Sequence, residues 1–109
     1  MDAVRELAEH VIDQLDMPVE LRRFFGGWAL VHDGAQFAVV MDTLYVVADD
    51  STRPALIEAG SVPFTYQARG RTVTVGRYHS VPEDAFDDPE SLRRLAREAI
   101  AIAGGRPRP

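Results

Sequence analysis

The residues that could carry out acid–base, metal or nucleophilic chemistry are few and scattered. Histidine occurs only at positions 10, 32 and 79. His10 falls on the polar side of an amphipathic segment, where a solvated side chain belongs. His32 precedes Asp33 and could imitate a His–Asp pair, yet the dipeptide opens a turn, where polar residues are expected anyway. Asp49 and Asp50 could ligate a cation. They also sit just before a helix start, whose positive end favours acids, and no third ligand follows at a motif spacing. Gly26-Gly27 would need a helix N-terminus behind it to hold phosphate, and strand-forming residues follow instead. The absence of cysteine excludes disulfides, thiolate metal sites and cysteine nucleophiles. No HExxH, GxxxxGK[ST], GxGxxG or nucleophile-elbow sequence occurs. The reading is of a chain without catalytic residues, metal or cofactor.

Two other groups could recognise a ligand. Arg69, Arg71 and Arg77 lie on or near one turn and form a candidate anion or nucleic-acid patch. The formal net charge of −5 argues against direct DNA binding, since non-specific affinity comes from cations that neutralise phosphates. All twelve basic residues are Arg, which fits a GC-rich genome without implying a binding role. Trp28, Tyr45, Tyr66 and Tyr78 could line a small-molecule pocket, although buried aromatics more often form plain core.

The elements that position these residues follow from periodicity. Val4, Leu7, Ala8, Val11, Ile12 and Leu15 recur at helical spacing over residues 2–15, with Asp2 as N-cap and Pro18 as the stop. Leu21 to His32 reads as one strand interrupted by a bulge or close approach at Gly26-Gly27. Asp33-Gly34 and Asp42-Thr43 are turns leading to strands over residues 35–41 and 44–48. A short helix over residues 53–59 follows, capped by Ser51 or Thr52, with Pro54 in its first turn and Gly60 after it. Residues 64–68 and 72–78 form a hairpin across Arg69-Gly70-Arg71. Its apolar positions are Phe64, Tyr66, Val73 and Val75; Thr65, Gln67, Thr72 and Thr74 point the other way. An acidic connector, PEDAFDDPE, leads to a last helix from Pro89 to about Ala103, with Asp88 as N-cap. This predicts an α+β domain over residues 1–103, ordered α-β-β-β-α-β-β-α. Its five-stranded antiparallel sheet packs against the N- and C-terminal helices. Residues 104–109 are expected to be a disordered tail.

The strands of the meander are apolar on both sides, unlike a sheet with one wet face. The apolar area left uncovered, with Ala29, Val31, Ala38, Val40, Tyr45 and Val47 as its residues, is therefore expected to form one interaction surface, and the chain to be a homodimer. Another regulatory protein is the alternative partner. No apolar run is long enough for a transmembrane helix, and Asp2 and Glu6 do not suit a signal-peptide start, so a cytoplasmic location is expected.

In order along the chain, FFGGWALVHDG, FAVVMDTLYVVADD, TRPALIEAGSVPFTYQARGRTV and VPEDAFDDPESLRRLAREAIA resemble the TfoX/Sxy N-terminal domain family over roughly residues 20–103. Val47 stands where that family often has Lys, and Arg77-Tyr78-His79 replaces its usual paired aromatics. The resemblance implies an α+β fold similar to type III secretion chaperones, often dimeric. It also implies a non-enzymatic, protein-interacting role of the kind found in transcriptional regulators of competence. It brings no catalytic residues.

Overall fold

In the computed structural model, which describes residues 2–105, the chain opens with helix α1 (Ala3–Leu15). The Asp2 carboxylate accepts from the amides of Val4 and Arg5, each at 3.1 Å, and so satisfies donors that a helix start leaves without partners. Strands β1 (Glu20–Phe24), β2 (Gly27–His32), β3 (Ala35–Val40) and β4 (Leu44–Val47) follow. Helix α2 (Arg53–Glu58), strands β5 (Pro63–Ala68) and β6 (Arg71–Ser80), and helices α3 (Glu83–Phe86) and α4 (Pro89–Ala103) complete the order. The expected final helix is α4. Of the expected C-terminal tail, residues 106–109 lie outside the described residues.

The sheet has six strands in the order β1-β2-β3-β4-β6-β5, not five. The strand expected over Leu21–His32 is two strands, because Phe25 and Gly26 make a reverse turn that pairs Phe24 with Gly27. Phe25 takes a φ of 51° there, a conformation that a bulky side chain seldom adopts. No polar turn residue marks the reversal, so the sequence conceals it. The close approach expected of the glycine pair belongs to Gly27, where a Cβ would overlap the Val40 carbonyl oxygen and Met41 Sδ. The bulge lies further on, between Leu30 and Val31. The acidic connector is also more structured than expected, since α3 forms one turn within it.

In the register of the meander, Trp28 pairs with Val40 and Val40 with Leu44, while Leu30 pairs with Ala38 and Ala38 with Val46. Directly paired residues share a face, so these six line one side of the sheet. Helices α1 and α4 pack there side by side, joined where Arg93 Nε donates to the Gln14 carbonyl at 2.9 Å. Ala29, Val39 and Tyr45 are paired on the opposite side. The set Ala29, Val31, Ala38, Val40, Tyr45 and Val47 thus does not form one surface. Ala38 and Val40 face the helices; Ala29 and Tyr45 face away. All six are buried within the chain, the most exposed being Tyr45 at 7%.

The side away from the helices is covered by the sheet itself. In a flat sheet β1 and β6, four positions apart, would lie about 19 Å from each other. Yet the Phe24 and Tyr78 rings are 6.3 Å apart. The sheet curls until its first strand reaches its last hairpin, sealing in Phe37, Tyr45 and Phe64. Strand β6 makes this possible by its length. Tyr78 to Ser80 pair with β4, while Arg71 to Val75 pair with β5 in an arm that extends past it. Within that arm Phe64 pairs with Val75 and Tyr66 with Val73, as their alternation predicts.

Candidate functional site

His10 is exposed on α1. His32 Nδ1 donates to the Pro18 carbonyl at 2.7 Å, which leaves Nε2 facing Asp33 at 3.7 Å, too long for a hydrogen bond. Asp49 Oδ1 accepts from the amides of Ser51 and Thr52, at 3.0 and 3.2 Å, and from the Ser51 hydroxyl. Thr52 holds the N-cap position of α2, but its side chain makes no cap bond; Oγ1 instead accepts from the Asp49 amide at 3.1 Å. Asp50 pairs with Arg53 at 2.7 Å. Both carboxylates that could have held a cation thus build the entry to α2. Among the described residues no three His, Asp or Glu side chains gather as a metal site would require.

The closest approach to a catalytic pair was not anticipated from the sequence. Ser61 Oγ lies 3.5 Å from His79 Nδ1, and both residues are buried. However, Ser61 donates its one hydroxyl proton to the Ser80 carbonyl at 2.5 Å. The imidazole therefore receives no proton from it, and a nucleophile sealed from solvent meets no substrate. Burial, with the Arg53 charge adding to it, holds His79 below its ordinary pKa near 6.5. The group is a neutral core histidine that ties β6 to the loop before β5.

The three arginines do not form one patch. Arg69 and Arg71 flank Gly70 at the hairpin tip, whereas Arg77 lies six residues along β6, roughly 20 Å away in an extended strand. Nor do the four aromatics share a pocket. Trp28 faces the helices, its Nε1 donating to Asp2 Oδ2 at 3.3 Å, with the Arg5 and Arg23 guanidiniums each 4.8 Å from its ring. Tyr45 lies on the other side, packed on Phe64 and donating to Asp42 at 2.9 Å. Burial and that bond push its pKa up to about 12. Tyr78 accepts from Gln36 Nε2 at 3.0 Å.

What the fold presents to solvent is a different aromatic pair. Phe25, at the tip of the β1–β2 turn, is 81% exposed, and Tyr66, on edge strand β5, is 42% exposed. Their rings stack with centroids 6.2 Å apart and planes at 17°. Phe24 packs edge-on beneath Phe25 at 4.8 Å. The sequence carries one weak signal of this site, an aromatic placed directly before a glycine pair. Edge strand β1, by contrast, carries Glu20, Arg22 and Arg23, charges that protect an edge from pairing. β5 carries none.

Two comparisons with known proteins agree with the resemblance seen in the residues. The chain is 31% identical over 86 residues to Protein Sxy of Escherichia coli (strain K12), an alignment covering 78% of this chain and 41% of that protein. The match thus covers about two fifths of the length of this relative. The family model described as the TfoX N-terminal domain matches residues 12–103. The chain belongs to the TfoX N-terminal domain family.

Proposed function

We propose that the chain is a regulatory protein-interaction module without catalytic activity, and that it self-associates through the Phe25–Tyr66 pair and the uncharged edge of β5. One observation supports this most: a phenylalanine held in a left-handed conformation at 81% exposure. That backbone state costs a non-glycine residue roughly 1–2 kcal/mol. Persistent local strain of this kind is characteristic of functional positions. Aromatic residues are also the type enriched in protein interfaces. Membership of the TfoX N-terminal domain family supports a competence-regulator-like role, and in this reading the module contacts its partners through protein rather than DNA. Its net charge of −5 and its divided arginines support that preference. Amide spectra of the labelled protein recorded at rising concentration test the surface. Shifts should concentrate at residues 24–26 and 64–67; uniform or absent shifts would oppose this reading.

A further inference from the structure

A second surface, sharing no residue with the aromatic pair, lies between α2 and α4. It is a cleft of about 620 Å³. Leu56 and Leu95 form its apolar floor, and Ala55 and Ala59 one wall. Those two alanines are exposed, so short side chains leave room for another backbone to come close. Ser91, Arg94 and Glu98 supply the wall from α4. This stretch is about 10 Å long at 1.5 Å per residue, the length of two helical turns.

The rim carries Asp84, Asp88 and Glu98 against a single cation, Arg94. Three carboxylates against one guanidinium leave two negative charges in excess. None of the three acids has a cation within ion-pair distance among the described residues. Asp88 instead accepts from the Ser91 hydroxyl at 2.6 Å, which together with nearby amides and Arg94 holds its pKa below the usual carboxylate range. It is therefore ionised at neutral pH. An apolar trough two turns long with an acidic rim is complementary to one kind of occupant.

We infer that this groove docks a basic amphipathic helix from a partner protein, its apolar stripe on Leu56 and Leu95 and its Arg or Lys side chains on Asp84, Asp88 and Glu98. The shape and charge of the α2–α4 groove carry this inference whether or not the chain self-associates. A displayed library of random 16-residue peptides, selected on the wild-type chain and counter-selected on Ala55→Arg, tests it. Ala55 is exposed, so the substitution blocks the trough without entering the core. Peptides with apolar residues at i, i+3 or i+4, and i+7, flanked by Lys or Arg, should enrich. A synthetic copy of the leading sequence should bind at least tenfold more weakly to Ala55→Arg and to Glu98→Arg, and more weakly in high salt. Circular dichroism should show both variants folded. Failure to enrich over the counter-target, or enrichment of sequences without basic residues, would overturn the proposal. So would a fall in the chain's own solution mass caused by Ala55→Arg, which would make the groove a contact between copies.

Discussion

The Phe25 ring stacks on the Tyr66 ring at a centroid distance of 6.2 Å, although Phe25 directly follows β1 and Tyr66 lies in β5, the two ends of the sheet order. This contact is the outer end of a stack that continues inward through Phe24 to Tyr78. The inner contact, Phe24 with Tyr78, closes the curl that hides the apolar side of the meander. The same curl leaves two aromatic rings in water at the rim.

Phe25→Gly should leave stability nearly unchanged. Glycine removes the roughly 1–2 kcal/mol cost of the left-handed turn. It also loses two exposed aromatic contacts, with Tyr66 and with Phe24, each worth at most about 0.5–1.5 kcal/mol, and adds unfolded-state entropy. Urea unfolding should place the variant within about 1 kcal/mol of the parent. A much larger loss would mean that the ring is structural and not reserved for binding.

The two adjacent glycines should respond differently. Gly27→Ala places a methyl group against the Val40 carbonyl oxygen and Met41 Sδ and should cost about 1–3 kcal/mol, the usual penalty for overpacking. Gly26→Ala meets nothing within 4 Å and should stay within about 0.5 kcal/mol of the parent, as exposed sites usually do. Denaturant midpoints of the two variants give the comparison.

Asp2 joins the start of α1 to the face it covers, through its amide bonds and the Trp28 indole. Asp2→Ala should lower the melting temperature by several degrees, the scale of a lost helix cap. It should also alter the fluorescence of the single tryptophan. Asp2→Asn, itself a good cap, should retain most of the stability.

Stability should fall as pH drops below about 6.5. His79 is held below that ordinary value by burial and by Arg53. Between the lowered folded pKa and 6.5, the unfolded chain binds the proton that the folded chain refuses. Stability therefore rises with pH across this window and is lost on acidification. Melting temperatures recorded from pH 7.5 to 5.5 should decline. His79→Gln, which does not titrate, should flatten the decline over that range.

Much of the fold was legible because periodicity is a local property. The stripes of α1 and α4 and the alternation of the β5–β6 hairpin read directly from residues 3–15, 89–103 and 64–75. What depends on pairing was not. Alternation sorts Ala38 from Val39 within a strand, but only the register shows that Ala38 faces the helices with Leu30 while Val39 faces away with Tyr45. The turn at Phe25-Gly26 escaped notice because an aromatic at positive φ contradicts local preference. That same residue is the centre of the candidate site. The curl is equally non-local, since it needs both the length of β6 and a contact between rings far apart in sequence, Phe24 and Tyr78.

The central claim is that this module associates through the Phe25–Tyr66 pair. Its most direct test is molar mass by light scattering over a dilution series, for the wild-type chain and for Phe25→Gly. The predicted result is a dimer, twice the 12.1 kDa chain mass, for the wild type, with the variant dissociating at concentrations at least tenfold higher. A wild-type monomer at every concentration, or a dimer that the substitution leaves intact, would contradict it.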